Sequence, residues 1–395
     1  MDTSGSYQKG FIESENLQLA SEQLRSRRLW VVELADPQQS IWSRDIGFLS
    51  AKVKKDQFTL FCRQLATMYS AGVNLVEAIE IVARQSSSKP LKAVLTEIIQ
   101  DMKSGTSFSA AAADHPKVFN TVFVHMIEAG EASGKLDEML QRVATMFEKE
   151  HNTKEKVKSA MIYPAVMMVA ITFVIIFMML FVVPTYMENF TNMGVELPLP
   201  TRIVVAVSDI LLGYWYLLLA GLIVLVVATA YFQKTENGKH TLDYYKLKVP
   251  IFGTLWHKQA IARFSRTFCS LHGASVPMLQ ILTIVSKVVG NEAIGRILLQ
   301  MRGNISGGHS IIEPIRKSRH FPPMVVEMMA AGERTGTLDV MLGKLADYYE
   351  SDVEMMADRL KALIEPLLII VMTVAVGTIV LAIMLPSFTL MENME

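Results

Sequence analysis

Cysteine is scarce in this chain of 395 residues, which contains only Cys62 and Cys269. A small protein stabilised by disulfides would carry several cysteines at regular spacing, so this sequence argues against a disulfide framework. We predict that both thiols are free and act as small core residues.

Motifs that mark common enzyme active sites are also lacking. No GxSxG, HExxH or GxxxxGK[ST] sequence occurs. The nearest approaches are GNEAIGR from Gly290, interpreted as a helix start, and SSSK from Ser86, interpreted as a polar loop. The eight histidines are scattered without metal-ligand spacing. We therefore predict no enzyme activity, no catalytic residue, no metal site and no cofactor.

The N-terminal residues, MDTSGSYQKGFIESENLQ, contain no apolar stretch of the kind found in signal peptides. We predict that the chain begins in the cytoplasm. The following residues suggest a strand, a helix and a strand, so residues 1–50 are expected to form a small α/β module that leads into a linker.

Apolar residues make up 51% of the chain while the formal net charge is +0, which is unusual for a soluble protein of this length. The excess lies in three uncharged runs, residues 161–183, 210–232 and 366–385, each of about 20 residues, the length that a helix needs to cross a bilayer. We predict transmembrane helices at residues 161–183, 210–232 and 363–386. The alternative, buried core helices, would require a large soluble domain, and the remaining sequence is too polar and too divided to supply one.

Basic residues cluster at one end of each run, and such clusters mark the cytoplasmic side. They are Lys154, Lys156 and Lys158 before the first run, Lys234, Lys239, Lys246 and Lys248 after the second, and Arg359 and Lys361 before the third. This distribution predicts cytoplasmic helical domains at residues 51–160 and 233–362. Residues 184–209 become a short periplasmic loop, and residues 387–395 a periplasmic tail.

One short sequence occurs twice in the chain. AGEASGKLDEML, from Ala129, returns as AGERTGTLDVML, from Ala331, with eight identities in twelve positions. The identities include Gly130, Glu131, Gly134, Leu136 and Asp137, which recur as Gly332, Glu333, Gly336, Leu338 and Asp339. The match extends upstream, where the segment from Phe61 corresponds to the segment from Phe264, and downstream, where Pro164 corresponds to Pro366.

The repeat predicts the architecture. Each unit is a polar region of about 100 residues with helical periodicity, followed by one membrane crossing. The middle crossing has no counterpart, and it is needed to return the chain to the cytoplasm so that both units face the same side. The expected fold is an all-α membrane protein with two repeated cytoplasmic six-helix bundles, three transmembrane helices and the small N-terminal α/β module.

The repeated motif has the residues of a helical corner. We expect Gly130 to end one helix in a left-handed conformation, Ser133 to cap the next, and Gly134 and Leu136 to let the two helices pack. Asp137 and Asp339 suit the first turn of a helix. The corner leaves Glu131 and Glu333 unexplained, which makes them candidates for binding a partner, although a purely structural role stays open.

In this combination of tandem helical regions, three crossings and duplicated AGE.(S/T)G.LD.ML motifs, the chain resembles the inner-membrane platform family of type II secretion and type IV pilus assembly machines. The resemblance covers roughly residues 7–390. It implies a non-enzymatic scaffold in the bacterial inner membrane that couples a hexameric cytoplasmic ATPase to extraction and polymerisation of pilin or pseudopilin subunits.

The same resemblance implies contacts with other inner-membrane assembly proteins and with lipid, and no nucleic acid partner. We expect the protein to form homo-oligomers, and its duplicated domains to present pseudo-symmetric faces to a symmetric motor. The alternative is a polytopic membrane transporter. A transporter would need ionisable residues at mid-membrane, and the three predicted crossings contain none at that depth, because Glu365 lies at the inner end of the third.

Overall fold

The computed structural model describes residues 53–192, 199–232 and 252–392, together with residues 235, 238, 243, 248 and 249. These residues contain helices and no strand, which confirms the all-helical class for the described part of the chain. The α/β module expected at residues 1–50 lies outside the described residues.

Six helices follow one another between residues 53 and 177, all of which the structure describes. They are α1 Lys55–Ser70, α2 Leu75–Gln85, α3 Lys89–Lys103, α4 Phe108–Ala113, α5 Thr121–Ser133 and α6 Leu136–Phe177. Four of them begin at a residue whose side chain accepts a hydrogen bond from a first-turn amide, namely Asn74, Ser88, Ser107 and Asn120. These caps satisfy amides that a helix cannot pair itself, so the local sequence sets the helix boundaries.

The helix α6 continues into a five-residue π-helix, Met178–Val182, and then into α7, Val183–Asn192. After the undescribed residues 193–198 comes α8, Leu199–Phe232, which is interrupted by non-helical backbone at Tyr214. The crossing predicted at residues 210–232 falls within α8.

The last described region, residues 252–392, contains six helices in a similar succession. They are α9 Phe252–Gly273, α10 Met278–Val288, α11 Glu292–Ser306, α12 Glu313–Arg316, α13 Pro323–Thr335 and α14 Leu338–Glu392. In both regions a very short helix, α4 or α12, precedes the helix that carries the repeated corner motif. Both regions end in a long helix that begins with Leu-Asp and runs on into apolar sequence.

Two continuous helical stretches, Leu136–Tyr186 and Leu338–Leu385, are long and apolar enough to cross a membrane. Only 17% of the apolar window of each is buried in the protein. Helices of a soluble core would bury such windows, so these two surfaces are suited to lipid or to another apolar partner.

Equivalent aromatic contacts lie in the cores of the two helical regions. The rings of Phe61 and Phe119 meet edge to face with centroids 5.8 Å apart. Their counterparts, Phe264 and Phe321, meet at 5.5 Å in the same manner. Buried residues of both regions belong to one continuous apolar cluster, so the two regions share a core.

The long helices join the two regions. Helix α14 packs along both α9 and α6. Towards the apolar stretches, Leu255, Val353 and Leu360 form a further buried cluster, against which Val157 and Met161 of α6 pack. The pairing of α6 with α14 therefore extends from the shared core to the start of the first apolar stretch.

Candidate partner-binding site

The repeated motif forms a tight corner between α5 and α6, and again between α13 and α14. Gly134 and Gly336 follow the first helix of each corner, both with φ of 69°. The carbonyls of Gly130 and Gly332 accept the hydrogen bonds that close the two turns. Assigning the left-handed conformation to Gly130 was wrong: it belongs to Gly134, because glycine adopts positive φ without the steric cost of a Cβ atom.

Gly130 and Gly332 instead lie inside helices, where the next helix passes very close. A Cβ atom on Gly130 would lie 2.9 Å from Met139 Cγ and 3.1 Å from Leu136 Cα. A Cβ atom on Gly332 would lie 3.0 Å from Leu338 Cα. The two glycines of each motif thus have different roles: the first permits close helix packing and the second permits the turn.

The expected cap at Ser133 is also wrong. The Ser133 hydroxyl donates to the Ala129 carbonyl at 2.7 Å, within its own helix, and Thr335 bonds Ala331 in the same way at 2.9 Å. Helix α6 begins after Lys135, whose side chain makes no capping bond. The prediction that Asp137 lies in the first turn is confirmed.

The side chain of Glu131 attaches the N-terminus of the short helix α4 to the corner. Its carboxylate accepts hydrogen bonds from the backbone amides of Phe108, at 2.8 Å, and Ser109, at 3.3 Å, and from the Ser109 hydroxyl. A carboxylate at a helix N-terminus satisfies free amides and interacts favourably with the helix dipole. Glu131, one of the two predicted partner-binding residues, therefore has an intramolecular role.

The side chain of its counterpart, Glu333, is more accessible to a partner than that of Glu131. Glu333 is exposed, and among the described residues it accepts a single long bond, 3.4 Å, from the Ser310 hydroxyl near α12. Partner binding by either glutamate stays a prediction, and the geometry favours Glu333 as the residue that can contact another protein.

Two equivalent ion pairs, which the sequence interpretation missed, connect the first and last helices of each region. Arg63 Nε donates to Glu148 Oε1 at 2.5 Å, and Arg266 Nε donates to Glu350 Oε1 at 2.8 Å. The hydrogen bond from Arg63 holds the pKa of Glu148 below its ordinary value. The signal was available, because arginine stands third in both FCRQ and FSRT and a glutamate follows at equivalent positions downstream.

A row of ion pairs, which we call the inter-helix seam, joins α6 to α14. Lys149 bonds Asp347, Lys156 bonds Glu354, and Lys149 also lies 3.7 Å from Glu350. Burial raises the pKa of Asp347, but hydrogen bonds from Lys149 and Arg266 outweigh that effect, so its pKa lies below the ordinary value. The seam attaches the two regions to each other along their longest helices.

Both cysteines are free, as predicted. Cys62 is buried and Cys269 is half-buried, and burial raises the pKa of each thiol. A raised pKa keeps a thiol protonated and unreactive, which suits a packing role. Among the residues that the structure describes, no three His, Cys, Asp or Glu side chains converge as a metal ligand set.

The family model of type II secretion system (T2SS), protein F, matches the chain in two segments, residues 61–184 and 264–386. The chain belongs to this family. The two protein F segments begin at Phe61 and Phe264, where the repeat begins in the sequence, and they end at Pro184 and Pro386.

Individual relatives within the protein F family are similar over almost their whole length. A type IV pilus assembly protein PilC from Thermus thermophilus is 37% identical over 398 residues, covering 100% of this chain and 97% of the relative. A PilC from Myxococcus xanthus is 34% identical, covering 98% and 93%. The type II secretion system protein F of Vibrio cholerae is 29% identical, covering 98% and 96%.

Proposed function

We propose that this protein is the inner-membrane platform of a type IV pilus or type II secretion assembly machine. In this role it couples a hexameric cytoplasmic ATPase to the extraction and polymerisation of pilin-like subunits. The observation that carries the proposal is the nearly full-length similarity to proteins named for type IV pilus assembly and type II secretion. The transporter alternative is not favoured by these similarities.

The membrane arrangement is part of the proposal. The two regions of six helices are copies of one cytoplasmic domain, and α6, α8 and α14 cross the inner membrane with the N-terminus inside. Two exposed apolar helical stretches support two of the crossings. The uncharged run at residues 210–232 and the lysines that follow it support the third.

The geometry suits a protein that transmits force from its cytoplasmic helices to the membrane. Helix α6 alone has 42 residues and α14 has 55, which correspond to lengths of about 60 Å and 80 Å. Each runs without a break from the shared core into an apolar stretch. A movement imposed on the cytoplasmic helices would therefore be carried directly to the membrane, and the apolar packing of α6 against α14 would make both long helices move together.

The proposed partners follow from the same role: the assembly ATPase at the cytoplasmic helices, pilin or pseudopilin subunits at the crossings, and other inner-membrane assembly proteins. The apolar surfaces that remain exposed would contact lipid and further copies of the chain. No catalytic constellation is proposed, and energy would come from the ATPase.

Deletion of the gene tests the role itself. Fibres or secreted substrates should disappear, and the purified cognate ATPase should still hydrolyse ATP. Complementation with the intact gene should restore assembly. Normal assembly in the deletion strain would refute the proposal.

Charge-reversal variants of the complementing gene test whether the glutamates of the corner contact a partner. Glu333→Lys should impair assembly while the protein accumulates normally in the membrane, because Glu333 is exposed and weakly bonded. Glu131→Lys should instead lower accumulation, because it removes the bonds that hold α4. Glu327→Lys, at another exposed position of α13, is the matched control and should have no effect. Full assembly by Glu333→Lys would exclude this glutamate as a partner contact.

A further inference from the structure

The first part of α8 packs against the far ends of both long apolar stretches. Val204 of α8 lies in a buried cluster with Met179 and Val183 from the first stretch and Ile379 and Ala382 from the second. Two hydroxyl side chains of α8, Thr201 and Ser208, are also buried there, with exposed fractions of 4% and 2%. Buried hydroxyls need hydrogen-bond acceptors, and the acceptors they find are informative.

Thr201 bonds a carbonyl that its own helix cannot satisfy. Its Oγ1 donates to the backbone carbonyl of Ala382 in α14 at 2.6 Å. In an α-helix that carbonyl would accept from the amide four residues later, which is position 386. Residue 386 is proline and has no N–H. The threonine hydroxyl thus stands where the missing amide donor would act.

Ser208 likewise bonds a carbonyl in the first apolar stretch that lacks a donor in its own helix. Its Oγ donates to the carbonyl of Met179 at 2.8 Å. Met179 lies in the π-helix, where the amide of Val183 bonds the carbonyl of Met178, five residues earlier. The Met179 carbonyl would therefore need the amide of residue 184, and that residue is also proline.

Other hydroxyls in these helices behave differently. Thr229 of α8 and Thr378 of α14 bond carbonyls of their own helices, at Leu225 and Val374, which is the ordinary pattern for threonine in an apolar helix. Thr201 and Ser208 reach across to neighbouring helices instead. They are seven residues, or about two turns, apart, so they lie on the same face of α8.

Pro184 and Pro386 are equivalent positions of the duplicated sequence, since each ends one of the two family matches. Each would leave a carbonyl without a donor, and in an apolar surrounding an unsatisfied carbonyl is costly. We propose that α8 is a brace whose Thr201 and Ser208 hydroxyls replace the amides missing at the two prolines. The helix without a counterpart in the repeat thereby fastens together the ends of the two repeated crossings.

A double-mutant cycle tests the brace at Thr201. Pro386→Ala restores an amide to position 386, so the Thr201 hydroxyl should become dispensable in that background. The full-length protein in lipid nanodiscs is followed by hydrogen exchange of the α8 amides. Thr201→Val should raise the exchange rate about threefold to twentyfold, the range expected for an inter-helix hydrogen bond in a membrane. In the Pro386→Ala background the same substitution should change it less than twofold.

Two matched variants complete the cycle. Thr201→Ser keeps the hydroxyl and should exchange like the unmodified protein, and Thr229→Val, in the same helix, should leave α8 exchange unchanged. If Thr201→Val does not accumulate in the membrane, its accumulation should be restored by Pro386→Ala. The corresponding cycle of Ser208→Ala with Pro184→Ala should show the same dependence.

An equal effect of Thr201→Val in both backgrounds, or no effect in either, would overturn the brace. The inference rests on the proposed function only for the membrane placement of α8. Hydrogen exchange is measured without fibre assembly, so a failed gene-deletion test leaves this result standing. Likewise, additive effects of the two substitutions in the double-mutant cycle would leave the proposed platform role unaffected.

Discussion

Adding one methyl group to Gly130 or Gly332 should destabilise the protein, although glycine to alanine inside a helix ordinarily stabilises it. At Gly130 the new Cβ atom would lie 2.9 Å from Met139 Cγ and 3.1 Å from Leu136 Cα. At Gly332 it would lie 3.0 Å from Leu338 Cα and 3.3 Å from Leu338 N. Since carbon atoms pack best at roughly 3.5 to 4.0 Å, the following helix must move in both variants.

The size of the effect follows from two opposing contributions. Alanine gains about 1 kcal/mol in helix propensity over glycine. Overpacking costs about 1 to 3 kcal/mol. We expect Gly130→Ala to lose up to about 1 kcal/mol, because its closest contact is the flexible Met139 side chain, which can give way. Gly332→Ala should lose up to about 2 kcal/mol, because its closest contact is the backbone Cα atom of Leu338, which cannot move without its helix.

Thermal unfolding of the purified protein in detergent measures both variants, with Gly303→Ala as control. Gly303 lies in α11, and a Cβ atom there meets nothing within 4 Å, so that variant should gain up to about 1 kcal/mol. The expected order of melting temperature is Gly303→Ala, unmodified protein, Gly130→Ala and Gly332→Ala. If the two corner variants are as stable as the control, the close helix approach inferred from the structure is incorrect.

Three further predictions concern charge and thiols. Arg266→Gln should cost about 2 kcal/mol, because partly buried Glu350 loses its closest cation and keeps only Lys149, 3.7 Å away. Arg63→Gln, at a more exposed pair, should cost less than about 1 kcal/mol. Equal losses of melting temperature would contradict this difference. The folded-state pKa of Glu148 lies below its ordinary 4.5, so its contribution to stability is present above pH 4.5 and is lost as pH falls through the folded value. Acid titration of the melting temperature should therefore show a decline beginning below about pH 4.5 that is smaller in Arg63→Gln, and an identical decline would refute the assignment. Buried Cys62 should react with a maleimide more slowly than half-buried Cys269 in the folded protein and equally fast in denaturant, as single-cysteine variants can show.

The helical class and the corner could be predicted from the sequence because both depend on local signals. Apolar periodicity, capping side chains and glycine pairs act within a few residues of one another. The individual roles within the corner were assigned incorrectly. A helix-ending glycine and a helix-packing glycine look alike in a sequence, and only the position of the neighbouring helix distinguishes Gly130 from Gly134.

Contacts between distant segments could not be predicted in the same way. The inter-helix seam pairs Lys149 with Asp347 and Lys156 with Glu354, each pair separated by 198 residues. Charged residues on a long helix usually face water, so nothing local distinguishes these lysines from their neighbours. The hydroxyl bonds of α8 are equally non-local, because each depends on a proline in another helix.

Duplication of the sequence does not make the two corners equivalent, and the difference bears on how a motor would engage the protein. Glu131 is committed to the amides of α4, whereas Glu333 is exposed. Arg63 pairs within its own region, whereas Arg266 bonds both Glu350 and Asp347, and Asp347 is also bonded by Lys149 of the first region. The second region therefore combines a more open corner with an ion-pair network that reaches α6. Pseudo-symmetric presentation of the two domains to a motor stays a prediction. On the proposed function, the open second corner adds the expectation that the ATPase engages this corner more strongly than the first.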